Sequence, residues 1–109
     1  MSKDWKLFLD DERYPDPSGW IIARNYHDAV WYVQNYGIPS HISFDHDLGS
    51  PQNMTGMDFA KWFCNYVMDH DIPNPGFTYH VHSMNPVGAK NIDCYMNQFI
   101  QCYWWSKIT

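Results

Sequence analysis

The segment that most constrains this chain is Ile42-Ser43-Phe44-Asp45-His46-Asp47-Leu48-Gly49, an apolar run that stops abruptly at two carboxylates flanking an imidazole. A run of strand length that opens into Asp-x-Asp and then Gly reads as a buried strand delivering acidic groups to the carboxyl edge of a sheet. In open α/β sheets that edge is where ligands bind. Taken alone, the segment is better explained by Asp45 and Asp47 as turn formers that bond their own backbone. Two other segments shift the balance. Lys6-Leu7-Phe8-Leu9-Asp10-Asp11-Glu12-Arg13 and Thr78-Tyr79-His80-Val81-His82-Ser83-Met84-Asn85-Pro86 are also apolar strand candidates running into polar or charged ends. As parallel neighbours, the three would bring those ends together.

The rest of the pattern supplies the frame. Trp5 to Leu9 reads as a central strand ending at Asp10. Residues 11–19, with Pro15, Pro17 and Gly19, preclude regular structure and are too few for a crossover helix. Trp20 to Ala23 is a brief second strand. From Tyr26 a helical period sets in, with Tyr26, Ala29, Val30 and Val33 on one face, Asn25 as cap and Gly37 and Pro39 closing the end. Thr55, with Asp58 in the first turn, opens a second helix whose stripe is Phe59, Ala60, Phe63 and Val67, with Met57 and Met68 read as packing. Phe77 to His82 is the last strand. Asn85 and Pro86 start a third helix carrying Ile92, Tyr95, Met96, Phe99, Ile100 and Tyr103 at amphipathic spacing. Trp104 and Trp105 at its end suggest a contact surface.

At 109 residues the chain predicts one domain spanning 1–109. Six Trp, eight Tyr and six Phe let a small sheet bury a large area through few side chains. A net charge of −5 excludes broad charge-driven binding to extended duplex nucleic acid, but not a site that grips one phosphate through a metal ion. Cys64, Cys94 and Cys102 are odd in number and form no C-x-x-C pair, which points to free thiols in a reducing compartment. No apolar run has the form of a signal peptide or a membrane span, so the expectation is a cytoplasmic protein with no membrane partner.

Asp10, Asp11 and Asp45 on neighbouring strand ends would crowd negative charge, which is unfavourable unless a cation is bound or a proton shared. Oxygen ligands favour Mg²⁺ or Mn²⁺, whereas ligation by His46 and His82 would turn preference toward Mn²⁺, Zn²⁺ or Fe²⁺. The imidazoles could instead move protons as an acid and base pair. The amides of Val87, Gly88 and Ala89 at the start of the third helix offer an anion site, with Lys90 and Arg13 adding positive charge. Together these features point to phosphate chemistry. His80 reads as an ordinary core or surface histidine, Glu12 as a solvated loop charge, and Asn85 is already explained by capping.

Three motifs, Leu9-Asp10-Asp11-Glu12-Arg13-x-Pro15, Phe44-Asp45-His46-Asp47-Leu48-Gly49 and His82-Ser83-x-Asn85-Pro86-x-Gly88, occur in this order. In that combination the chain resembles the cyclic-phosphate processing receiver-like domain, a branch of the receiver fold proposed to act on cyclic phosphates. The resemblance implies a small flavodoxin-like α/β three-layer sandwich with a mainly parallel four-stranded sheet and three helices. By its pattern Asp10 and Asp11 match the receiver acidic pair, Asp45 the phospho-acceptor position and Ser83 the Ser/Thr position. Two departures stand out. No fifth strand carrying the receiver lysine follows, Lys90 being no positional match, and the nine residues between the first two strands leave no space for a first helix.

The expectation is therefore a metal-dependent phosphoesterase that opens a 2′,3′-cyclic RNA end or a cyclic nucleotide. Asp10, Asp11 and Asp45 would hold Mg²⁺ or Mn²⁺, with Zn²⁺ as the softer choice. His46 and His82 would be base and acid, Asp47 would orient an imidazole or join the metal shell, and Arg13, Ser83, Asn85, Gly88 and Lys90 would hold the phosphate. The rival from another class is a module that senses or sequesters a cyclic nucleotide without cleaving it. An Asp45 nucleophile with Asp47 as its acid/base ranks lower, and phospho-acceptor signalling without the lysine comes last.

Overall fold

Three strands ending in Leu9, Phe44 and Val81 lie side by side in the computed structural model, which describes residues 5–15, 19–49, 54–74 and 76–105. The chain runs β1 (Lys6–Leu9), β2 (Ile21–Ala23), α1 (Tyr26–Tyr36), β3 (His41–Phe44), α2 (Gly56–Asp69), β4 (Thr78–Val81) and α3 (Pro86–Phe99), ending in a π-helical turn, Ile100–Trp104. The sheet is parallel throughout, in the order β2-β1-β3-β4. That is the doubly wound receiver order without its fifth strand. Among the described residues no helix lies between β1 and β2 and no fifth strand follows α3.

Local chemistry sets the helix starts where the sequence placed them. The Asn25 side chain accepts from the Asp28 amide at 2.8 Å, and Gly37, with φ of 88°, closes α1. Thr55 and Asp58 form a reciprocal capping box on α2. Asn85 accepts from the Gly88 amide at 2.9 Å, with Pro86 at the first helical position of α3. No helix among the described residues is long and apolar enough to cross a membrane.

The two connections β2-α1-β3 and β3-α2-β4 step the same way across the sheet, so right-handed crossovers put both helices on one face. There α1 packs on α2 and α2 on α3. Leu7, Leu9, Ile42 and Phe44 meet Phe59, Phe63, Ile92 and Met96 in one buried core. Three layers were expected; the described residues make two, because none of their helices covers the opposite face of the sheet. On that face Phe8, Ser43, His41 and His80 are left to Trp20, whose ring meets Phe8 at 5.8 Å and His41 at 5.7 Å.

Two side chains depart from the sequence reading. Trp104 belongs to the core, 1% exposed, with its Nε1–H donating to the Ile72 carbonyl at 3.0 Å, because the widened π turn rotates it inward; only Trp105 stands in solvent. Met68 is 39% exposed, while Met57 packs against the core as expected.

Candidate functional site

Strand register builds the site. Leu9 pairs with Phe44 and Phe44 with Val81, so the residues that follow, Asp10, Asp45 and His82, stand in a row at the carboxyl edge. The ladder continues through them, with the Asp45 amide donating to the Leu9 carbonyl at 3.0 Å and the His82 amide to Phe44 at 2.9 Å. One ligand atom from each of Asp10, Asp45 and His82 lies within 4.8 Å of the others.

Asp10 is wholly buried and engaged on both oxygens. Its Oδ1 accepts the Glu12 and Arg13 amides at 2.9 and 2.8 Å, and its Oδ2 accepts Arg13 Nε and His82 Nε2, both at 2.9 Å. Burial alone would raise its pKa. The Arg13 and Glu12 amides, the His82 bond and the Arg13 charge outweigh that and hold it below the usual carboxylate range. Arg24 fixes the loop from behind, donating from Nη1 to the carbonyls of Asp10 at 3.2 Å and Arg13 at 2.7 Å.

Asp45, 5% exposed, moves the other way. Burial and the Asp10 charge push its pKa up against a hydrogen bond from Ser83 and the charges of His82 and Arg13, whose Nη2 is 3.7 Å from Asp45 Oδ2. The two adjacent carboxylates thus shift in opposite directions, Asp10 through the donors around it and Asp45 through burial and its neighbour's charge. Beside them an open cleft of about 460 Å³ is lined by Asp11, Glu12, Arg13, Asp45, Asp47, Gly49 and Met84. At its margin His46 Nδ1 lies 2.8 Å from Asp47 Oδ1, and the hydrogen bond from His46 holds the exposed Asp47 carboxylate below its usual range.

This arrangement can be set beside known proteins. Over residues 5–98 the sequence matches the family described as the cyclic-phosphate processing Receiver domain. The chain belongs to that family. No curated protein matches the sequence. A solved structure described as a yeast Spc42 trimeric coiled-coil segment fused to another structure is similar with a TM-score of 0.52 and 21% identity, over 87% of this chain and 66% of that one. The chain thus spans a little under two thirds of that structure's length, and the likeness shows the fold alone.

Within this Receiver domain the expected site residues fall into three groups. Asp10, Asp45, His82, Arg13 and Ser83 converge, and His46 and Asp47 form a pair at the cleft margin. Asp11 lines the cleft but lies outside the close group of Asp10, Asp45 and His82. Gly88, Asn85 and Lys90 stand apart from these groups. The amides of Gly88 and Ala89 are consumed by the Asn85 cap, at 2.9 and 2.8 Å, leaving little of the anticipated anion site, while the Asn85 amide points at Asp47 at 3.4 Å. Lys90 lines a separate groove with Tyr79, His80 and Asp93. Gly88 has a different task, since a Cβ there would strike the His46 ring.

Sequence reasoning missed Arg24, Ser43, His41 and His80. Arg24 sits just past a strand, where an arginine carries no signal. The other three were legible as a pattern, because His41-x-Ser43 and Thr78-x-His80-x-His82 put polar groups on the same face of two strands at a period of two.

Proposed function

We propose that this Receiver domain is a metal-dependent phosphoesterase that opens cyclic phosphates. The reading is carried by one observation, the convergence of Asp10, Asp45 and His82 within 4.8 Å beside an arginine-lined cleft. Two carboxylates and an imidazole suit Mn²⁺ or Zn²⁺, and Mg²⁺ with more water in its shell. The upward push on Asp45 fits a place that a cation would relieve. Bound by Asp10, Asp45 and His82, such an ion would polarise a phosphoryl oxygen and acidify a water.

The chain's own groups have separable tasks in this reading. Arg13, 42% exposed on its side chain, presents charge to the phosphate from the cleft wall. His46, steadied through Nδ1 by Asp47, keeps Nε2 for proton transfer. It takes a proton from the attacking water as the oxygen bonds to phosphorus, and returns it to the ring oxygen as that P–O bond breaks. His82, whose Nε2 lies 2.9 Å from Asp10 Oδ2, would turn that nitrogen from Asp10 to the ion, so in this reading it serves as ligand and orienting group and leaves the acid role to His46. Met84, 84% exposed at the cleft, offers an apolar surface to the organic part of a small nucleotide or RNA end. We place this activity in the cytoplasm, where three free thiols persist.

One observation favours the rival reading, a module that binds a cyclic phosphate without turnover. Arg13 already spans Asp10 and Asp45, supplying a cation of the protein's own. Incubation with 2′,3′-cyclic and 3′,5′-cyclic nucleotides in Mg²⁺, Mn²⁺, Zn²⁺ or EDTA, followed by mass spectrometry, separates the two. Ring opening that EDTA abolishes is the expected result. Ligand bound and recovered intact in every metal would establish the module instead.

A further inference from the structure

Five hydrogen bonds run unbroken across the sheet face that no helix of the described residues covers. Thr78 Oγ1 lies 2.7 Å from His41 Nδ1, His41 Nε2 2.8 Å from His80 Nδ1, and His80 Nε2 2.9 Å from Ser43 Oγ. Ser43 Oγ is in turn 2.6 Å from His82 Nδ1, and His82 Nε2 is 2.9 Å from Asp10 Oδ2. Parallel pairing of β3 with β4 sets this up by placing His41 beside Thr78 and Ser43 beside His80. Four of the six residues come from strand positions that face away from the helices. Ser43, with no exposed surface in a central strand, has no packing reason to be a serine.

The line has a single direction. Ionised Asp10 can only accept, so in its neutral form the His82 ring carries its hydrogen on Nε2 and accepts at Nδ1. The Ser43 hydroxyl must then donate to His82, which leaves its lone pairs for His80 Nε2–H. His80 Nδ1 accepts from His41 Nε2–H, and His41 Nδ1 from Thr78. Partial burial holds the pKa of His41 and His80 below the usual histidine value, aided at His41 by His80 and Lys6 and at His80 by His82. A neutral imidazole, one donor and one acceptor, passes direction on.

We propose that Ser43, His80 and His41 are positioning residues of the strand-end site: they hold the His82 ring as one directed line, which reverses as a unit when the group facing His82 Nε2 changes from acceptor to donor. Each member keeps one proton in both directions, so reversal changes no charge. A cation taking up His82 Nε2 in place of Asp10 demands the same reversal, with Nδ1–H then donating to Ser43, the outer hydrogen bond that metal-bound imidazoles generally make. The inference rests on the proposed function only for the task it gives His82.

The test is the tautomer of each ring, read from long-range ¹H–¹⁵N imidazole spectra of labelled protein at about pH 8, above the ordinary histidine pKa of about 6.5. In the parent, His82, His80 and His41 should all carry hydrogen on Nε2. Asp10→Asn turns the line around. The Glu12 and Arg13 amides keep the side-chain oxygen at their end, and the exposed Arg13 side chain must swing its Nε–H off the new NH₂; that NH₂ then faces His82, and all three rings should move to Nδ1–H. If His82 alone changes, or the parent rings do not share one tautomer, the connected line is overturned. Should Asp10→Asn not fold, Ser43→Ala serves, since it removes the central link and only one oxygen. His82 should then keep Nε2–H while His80 and His41 become mixtures; an unchanged single tautomer at both would overturn the proposal equally. None of these spectra depends on turnover, so an inactive protein can show the line and an active one can lack it.

Discussion

The His82 imidazole lies flat on the Phe8 ring, the centroids 4.5 Å apart and the planes 5° from parallel. Phe8 projects from β1 onto the helix-free face and is only 7% exposed, so it is a shelf between the sheet and the site. Stacking fixes the plane of the imidazole, and the bonds to Ser43 and Asp10 fix its rotation within that plane.

Phe8→Leu keeps an apolar side chain and removes the shelf. The lost ring pair is worth about 0.5–1.5 kcal/mol beyond the buried area. The urea midpoint should fall accordingly, and the His82 ring signals should broaden as the ring gains freedom. A variant with the parent's midpoint and sharp signals would show that the hydrogen bonds alone hold His82.

Asp45→Asn should stabilise the fold while ending the proposed ring opening. A carboxyl whose native pKa is raised holds its proton longer than in the unfolded chain. Its contribution is thus most favourable below about pH 4 and is lost as pH rises through the native value. Removing the charge lifts that penalty, which burial and Asp10 impose together. Urea unfolding at pH 7 should show the variant more stable than the parent, with the gap closing by about pH 4. Asp10 has the opposite sign, its lowered pKa contributing stability above about pH 4 that is lost on acidification. A gap that persists at pH 4 would assign the effect to packing.

How far the site was legible follows from what each residue needed. Asp10, Asp45 and His82 each end an apolar run, and parallel strands have a common carboxyl edge, so their meeting could be read without coordinates. Asn25, Thr55 and Asn85 announced the helix starts by local chemistry alone. The missed residues depended on what covers the second sheet face. His80 and His41 look ordinary until Ser43 is placed between them, and Ser43 looks like a strand filler until the face is known to be open. At α3 the asparagine that marks the helix start also takes two of the three amides expected to hold an anion, those of Gly88 and Ala89. Trp104 needed the π turn, which a 3.6-residue period does not reveal.

The three thiols should separate in reactivity. Burial pushes the Cys64 pKa up to about 12, and its Sγ packs 3.7 Å from Met96 Sδ, whereas Cys94 and Cys102 are exposed on α3 and the π turn. Thiolate is the reactive form, so brief iodoacetamide treatment at pH 8 should add two labels to native protein and a third only in denaturant. Labelling of Cys64 in the native protein at the rate of the other two would show that α2 and α3 part readily.

Gly88→Ala tests His46 without touching any titratable group. A Cβ at this position meets the Cγ, Cδ2 and Nδ1 atoms of the His46 ring, closer than such atoms approach. The obstacle is a side-chain ring in place of backbone, so the ring should swing away from Asp47 while α3 stays in place. The Gly88 amide still reaches Asn85, and alanine gains up to about 1 kcal/mol over glycine inside a helix. Thermal stability should therefore hold or rise slightly. If His46 shuttles the proton, kcat should fall roughly a hundredfold or more, the usual worth of a positioned acid/base, with little change in KM. The pairing of an intact fold with lost turnover separates a displaced catalytic ring from a damaged helix, and a fully active Gly88→Ala protein would remove His46 from the reaction.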